Sequence, residues 1–525
     1  MNHRIPGAPL PMVLRSPARR MVLQRAAALG AGIGLGASLP ACGGMSTEAP
    51  SSADSARIRA AAGALPAAAR DLMQKTGVPG LSLAVVHRGE TVLAEGYGVC
   101  RAGGSEAVNA DTVFQLASVS KPLGATVVAR QVGEGRVRWD SPMRELLPWF
   151  KLGNDDTNAR LTVADLYAHR SGLPDHAGDD IEEMGWPQRE VLERLRFQPL
   201  QPLGTHYAYT NAGLTAAALG VAARAGTDWA TLSEQTLYAP LGMTRTTSRY
   251  ADFMRQTNRA VGHVRGSTGW EPGAPRNADP QSAAGGASSS ARDMARWLAL
   301  LLARGRWEGR TLVGAEALQA AMSPQAPGGA YGYGFNVGTL GEGGLRMNSH
   351  SGAFQLGAAT CFMLVPALDV AVVALTNSWP IGVPETLCRH FLDLAQSGRA
   401  TRDWWTAYNQ AISGLVDPVG SLVGKAPPAN PAPPKALSGY AGRYSSDYFG
   451  ELQVDVMAGN ALRLSLGPLP QVYPLRHWSG DDFVFHPANE SAAPGSISLA
   501  RFDVTGRSVW LEFYDTSGLG RFVRV

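Results

Sequence analysis

QLASVSKPLGATVV, residues 115–128, sets one lysine in the middle of an apolar run that reads as a core helix. The chain of 525 residues has only five lysines, at 75, 121, 151, 425 and 435, and arginine supplies the other 42 of its 47 basic residues. A charge buried without a partner is costly, so Lys121 either reaches solvent or is held there for its chemistry. The run continues to about Gly133. Pro122 is tolerated only in a first turn, which puts Ser118 at the helix N-terminus. Residues i and i+3 share a helix face, so Ser118 and Lys121 point the same way, whereas Ser120 diverges from Lys121 by about 100°. Burial lowers an ammonium from its ordinary pKa of ~10.4. A neutral amine beside a serine hydroxyl is a general base, and the free N–H groups of a helix start suit an oxyanion. The tetrapeptide S-x-x-K alone is weak, because an N-capping serine followed by a snorkelling lysine reads identically.

Upstream, residues 56–75 are Ala-rich with helical period, and Gly77-Val78-Pro79-Gly80 stops them. LSLAVV (81–86) and TVLAEGYGV (91–99) read as strands of a hairpin turning at HRGE. Downstream, helices are expected at 162–168, 187–197, 214–225, 291–303 and 315–321, and paired buried strands at 361–377. The composition changes after Val416. APPANPAPP (426–434) is a stiff proline-rich linker, and beyond it LQVDV, LRLSL, FVF, SISLARF, VWLEFY and RFVRV alternate with period two. The expected organisation is a leader at 1–41, a tether at 42–55, a main domain at 56–416, a linker at 417–434 and an all-β barrel or sandwich at 435–525.

The first 41 residues carry five arginines and no acid, then an apolar run too short to span a bilayer. ARRMVLQ (18–24) resembles a twin-arginine export signal, and LPAC (39–42) resembles a lipobox that lipidates Cys42, with Pro40 unusual there. The expectation is a periplasmic or cell-envelope lipoprotein, with a plain secreted form as the alternative. Without this leader 42 basic residues face 43 acidic ones, so the pI of about 8.9 belongs largely to the leader and no nucleic-acid partner is expected. Cys100, Cys361 and Cys388 allow at most one bridge.

Two more stretches carry chemistry: Tyr209-Thr210-Asn211 in GTHYAYTNAG, on a polar loop before the helix at 214, and His350-Ser351-Gly352 in NSHSGAFQLG, before the buried strands. The order S-x-x-K, Y-x-N, [K/H]-x-G resembles that of the serine hydrolases related to class C β-lactamases, D-aminopeptidases and penicillin-binding proteins. LTVADLYAHRSGLP (161–174), PLGM (240–243) and AAGGASSSARDMARWL (283–298) resemble further landmarks of that family. The resemblance covers roughly residues 56–395 and implies an α/β (α+β) fold: an antiparallel sheet flanked by helices, with an all-helical lobe closing over Ser118.

The resemblance further implies that Ser118 is the nucleophile of an acyl-enzyme and that Lys121 and Tyr209 share the proton transfers, with Tyr209 as a phenolate favoured by the adjacent ammonium. Asn211 would donate to Lys121 or to the substrate amide. The N–H groups of Ser118 and Ala353, after Gly352, would form the oxyanion hole, and His350 would line the substrate side. No metal or cofactor is expected. His169 and His176 read as structural, and Ser290 with Asp293 as a helix cap. One departure matters: relatives that bind carboxylates have Lys where this chain has His350. That favours small-molecule or peptide substrates, esters or D-residue peptides and cell-wall fragments, over β-lactams. The rival reading is a non-catalytic peptidoglycan binder or sensor. The C-terminal domain reads as a lid over the cleft, an oligomer interface or a wall-binding module.

Overall fold

The structure, a computed structural model, describes residues 51–341 and 343–525. The leader and the lipidation expected at Cys42 lie outside the described residues, as does most of the tether. The tether stops earlier than 55, because Ser51 and Asp54 form a reciprocal cap that starts helix α1 (Ser52–Thr76). Gly77, with φ 71°, closes that helix.

The expected hairpin is β1 (Gly80–His87) and β2 (Glu90–Gly98). The lysine-bearing run is α2 (Ser120–Gly133), and the Y-x-N segment leads into α3 (Asn211–Arg224). That helix starts at Asn211 itself, three residues before the expected 214. Helix α4 (Ala291–Leu302) starts on Ser290, whose side chain accepts from the Asp293 N–H, as a cap should. The strands β3 (Asn336–Leu340), β4 (Leu345–Phe354), β5 (Ala358–Val365) and β6 (Val370–Thr376) complete an antiparallel sheet in the order β2-β1-β6-β5-β4-β3. Strands β1, β5 and β6 are buried along their whole length because both sheet faces are covered, which is why they read as unbroken apolar runs. One face packs on α1 and on α5 (Val383–Ser397). The other packs on α4 and the helical lobe that holds α2 and α3. Helix α5 and α6 (Trp404–Ser413) follow a stretch where periodicity announced nothing, although Gly382, Pro384 and Gly398 punctuate α5 as start and stop signals do.

The C-terminal region is a closed eight-stranded barrel: β7 (Gly442–Ser446), β8 (Gly450–Met457), β9 (Ala461–Leu466), β10 (Gln471–Ser479), β11 (Asp482–Phe485), β12 (Ser498–Phe502), β13 (Ser508–Leu511) and β14 (Arg521–Arg524). Alternate residues such as Leu452, Val454, Leu462, Leu464, Tyr473 and Leu475 fill its interior. Strand β10 is the longest of the eight yet hides from a propensity reading, because the exposed Pro474 sits in its middle.

The barrel docks beside the helical lobe. Tyr448 Oη donates to Asp180 Oδ1 at 2.7 Å, Ser491 Oγ donates to Glu183 Oε1 at 2.6 Å, and Gln471 donates to the Glu183 carbonyl at 2.9 Å. Glu490 accepts from the N–H of Gln355, the first residue beyond β4. Cys100, Cys361 and Cys388 are buried and unbridged.

Candidate active site

Ser118 sits in a single 3-10 turn, Ala117–Val119, directly before α2. Ala117 has φ 47°, a left-handed conformation that costs a residue with a Cβ roughly 1–2 kcal/mol. Its surroundings hold it there. Ser120 Oγ donates to the Ala117 carbonyl at 2.6 Å and accepts from Ala287 N. Leu116 is tied by its N–H to Ala287 and by its carbonyl to Thr360 Oγ1 on β5. Ser120 is thus spent on shaping the turn, in keeping with its divergent helix position. A strained backbone at one residue, held by the sheet on one side and the lobe on the other, presents the next residue's hydroxyl outward.

Lys121 is fully buried. Its Nζ lies 3.1 Å from Ser118 Oγ, 2.6 Å from Asn211 Oδ1 and 2.9 Å from the Ala284 carbonyl. Burial pushes the ammonium down to about 7, and the Asp179 carboxylate pulls it part of the way back. Tyr209 donates to Ser118 Oγ at 2.8 Å, and the lysine nitrogen stands 4.5 Å from its ring centroid. The phenolate expected for Tyr209 is reversed. Burial raises the phenol well above its ordinary value, its bond to Ser118 offsets only part of this, and Asp179 and Asp175 raise it further. Asn211 is corrected too: it accepts from Lys121, and its Nδ2 donates to both oxygens of Asp179 at 2.9 and 3.2 Å.

The landmark segment 161–174 and the two residues after it, Asp175 and His176, hold Tyr209 in place. His176 N donates to the Tyr209 carbonyl at 2.7 Å, Asp175 Oδ1 accepts from Tyr209 N at 2.8 Å, Ala208 N donates to the His169 carbonyl, and Thr210 N donates to His169 Nδ1 at 3.1 Å. His169 and His176 are left-handed at φ 56° and 59° and pack against the Tyr209 ring at 4.5 and 5.5 Å between centroids. Both were expected to be structural; they form the wall that fixes the phenol.

His350 lies on β4, 5% exposed, with Tyr331 Oη 3.3 Å from its Nε2 and the Ser351 carbonyl 2.7 Å from its Nδ1. Burial, then the charge of Lys121, push it down to about 3, so the ring is neutral. Gly352 is needed for close approach: a Cβ there would stand 2.2 Å from the Leu116 carbonyl and 3.0 Å from Ser118 N. Strand β4 therefore passes against the nucleophile's own N–H, and the exposed Ala353 follows.

The five side chains singled out by sequence, with Gly352 and Ala353, come to one place. Sequence reasoning did not find Asp179, Asp175, Tyr331 or the Ala284 carbonyl. Asp179 opens the acidic run DDIEE, which reads as a solvated face, and a main-chain oxygen leaves no signature at all. Among the described residues no group of His, Cys, Asp and Glu is arranged to hold a metal ion.

Residues 65–397 match the family model described as Beta-lactamase. The chain belongs to that family. It is a family of serine hydrolases, and residues 426–518 match a separate model described as a domain of unknown function (DUF3471). The Unguisins hydrolase ungD' of Aspergillus campestris (strain IBT 28561) is 27% identical over 412 residues, 72% of this chain and 74% of that protein. The D-aminopeptidase of Brucella anthropi is 29% identical over 305 residues, 56% of this chain and 55% of its own. Among solved structures, the octameric penicillin-binding protein homologue from Pyrococcus abyssi is similar with a TM-score of 0.56 and 19% identity, covering 88% of this chain and 99% of that one. The class C beta lactamase from Rhodobacter sphaeroides is similar with a TM-score of 0.53 and 22% identity, covering 63% and 98%. These two structural likenesses are likenesses of fold.

Proposed function

We propose that the chain is a serine acyl hydrolase that forms an acyl-enzyme on Ser118 and cleaves amide bonds in peptides with D-residues, or esters. The observation that carries this reading is the convergence of Lys121 Nζ and Tyr209 Oη on Ser118 Oγ, at 3.1 and 2.8 Å. A neutral lysine has two N–H bonds and one lone pair. The carbonyls of Asn211 and Ala284 take the two N–H bonds, which leaves the lone pair aimed at Ser118.

In the acylation step Ser118 Oγ attacks the carbonyl carbon while its proton passes to Lys121. The oxyanion is held by the N–H groups of Ser118 and Ala353. The neutral phenol of Tyr209 then gives its proton to the leaving nitrogen or oxygen and is reprotonated from Lys121. Water hydrolyses the ester on Ser118 with the same groups in reverse.

The substrate class follows from His350. A neutral imidazole capped by Tyr331 provides no cation for a carboxylate. Substrates without a free carboxylate beside the scissile bond, internal amides or esters, suit it better than β-lactams or C-terminal residues. The name of the D-aminopeptidase relative supports peptide amides. The docked barrel, with Glu490 bonded just beyond β4, favours a lid role that limits substrate size. The leader motifs support an exported enzyme, tethered to the envelope through lipidated Cys42.

The test is labelling by a fluorophosphonate probe together with turnover of D-aminoacyl amides, D-Ala-D-Ala peptides, short esters and nitrocefin. Labelling lost in Ser118→Ala, with amides and esters preferred over nitrocefin, is the expected outcome. Undiminished labelling of Ser118→Ala overturns the assignment.

A further inference from the structure

The helix Asp179–Glu183 carries four acids in five residues, two engaged within the catalytic domain around the site and two by the barrel. Asp179 takes the Asn211 amide and His176 Nδ1, the latter at 2.7 Å. Asp180 takes the barrel's Tyr448, which also accepts from Gly178 N at 3.1 Å. Glu182 takes Arg276, whose backbone is bound on both sides by the Gln115 side chain, three residues before the nucleophile. Glu183 takes the barrel's Ser491, while its carbonyl takes Gln471 and the next carbonyl, of Met184, takes Leu469 N at 3.1 Å.

We propose that Asp179 is a positioning residue of the Ser118 site, acting on Lys121 through Asn211, and that the C-terminal barrel holds it in register through Tyr448 and Ser491. The proposal rests on the acyl-enzyme reading above and deepens it. An amide has two ends that look alike in shape but not in charge. With its nitrogen bound to a carboxylate, Asn211 cannot turn over without setting oxygen against oxygen, so its carbonyl stays on Lys121. That carbonyl is one of the two acceptors that direct the lysine lone pair. Asp179 also supplies the negative charge opposing the desolvation of Lys121. The other titratable groups facing this pair are Tyr209, His169, His350 and His176 around the lysine, and His176, Asp175, Asp180 and Glu182 around the aspartate. Among the described residues the barrel reaches the pair through this helix and the Gly178 N–H just before it. Removing barrel contacts should therefore act in the same direction as altering Asp179, and more weakly.

The experiment uses the full chain and p-nitrophenyl acetate kinetics across pH 5 to 9, with melting temperature and fluorophosphonate labelling measured in parallel. Asp179→Asn is expected to lower kcat with KM little changed and to move the acidic limb of kcat/KM down by about one pH unit, since a nearby opposite charge typically holds a pKa by that much or more. Asp179→Ala, which also frees the amide, is expected to lose about 100-fold in kcat, the scale of a misplaced catalytic group. Tyr448→Phe combined with Ser491→Ala should move both readouts the same way by less. A melting temperature that falls with no movement of the limb in Asp179→Asn overturns the role of Asp179. Unchanged kinetics in the barrel double variant overturn the role of the barrel. Labelling that persists in Ser118→Ala would unseat the acyl-enzyme reading itself; labelling lost there, with Asp179 variants kinetically unchanged, unseats only this inference.

Discussion

The Ala284 carbonyl accepts a hydrogen bond from Lys121 Nζ at 2.9 Å, so a main-chain oxygen 163 residues away helps decide where the lysine's lone pair points. A carbonyl neither titrates nor turns over, so it accepts from Nζ in both protonation states of the amine.

Acylation should therefore follow the neutral fraction of Lys121. Burial places its pKa at about 7, so kcat/KM for an ester should fall about ten-fold per unit below that pH and level off above it. Lys121→Arg, which stays charged at all working pH, should lose on the order of 10²–10⁴-fold on the plateau above about pH 7, and progressively less below it, where Lys121 is itself protonated. A limb left in place in that variant would assign it to another group.

Burial keeps Tyr209 protonated in the free enzyme, which suits it to donate to the leaving group in the acylation step of the proposed mechanism. Tyr209→Phe should cost amide substrates about 100-fold in kcat, because an amine leaves only when protonated. The acylation burst with p-nitrophenyl esters, whose leaving group needs no proton, should lose far less. Parallel losses on both substrates would remove the donor role.

Gly352→Ala tests the close passage of β4. The added methyl would stand 2.2 Å from the Leu116 carbonyl and 2.4 Å from Thr360 Oγ1. The strand must move off the nucleophile, at a cost of about 1–3 kcal/mol in stability. Fluorophosphonate labelling should slow strongly even at temperatures where circular dichroism shows the variant folded.

How much of this was legible in the sequence depended on how local the signal is. Ser118 and Lys121 lie one turn apart on a single helix, and their relation follows from helical geometry alone. Tyr209, Asn211 and His350 came from motif order, because their meeting is tertiary. The protonation state of Tyr209 was read the wrong way round. An adjacent ammonium can be inferred from the motif, but burial and the two carboxylates at 175 and 179 appear only once the lobe is folded. Barrel strands with clean alternation, such as Leu452 to Val456, announced themselves; β10 did not, because Pro474 breaks the pattern while pointing outward.

The docking surface of the barrel should respond to pH. Burial pushes Glu183 up to about 8 and Asp180 up to about 6, from ordinary values of 4.5 and 3.8. A carboxyl whose folded value is raised stabilises the fold fully below its ordinary value, and that stability is lost as the pH rises through the folded value. Stability contributed by these two groups should thus decline between about pH 4 and 8. Glu183→Gln, which mimics the protonated acid, should gain melting temperature relative to the unaltered chain as pH rises from 5 to 9. A constant difference between the two curves would show that Glu183 does not titrate in that window.

Strand β14 zips onto β7, with Tyr444 opposite Arg524, and so seals the eight staves into a ring. A ring tolerates no gradual shortening: shaving off only Arg521–Arg524 would bare two raw margins at once, each a template for sticking to another copy. Trimmed versions of this hydrolase should therefore either keep the whole ring or discard it at the proline-rich joint, and anything cut between those limits should precipitate.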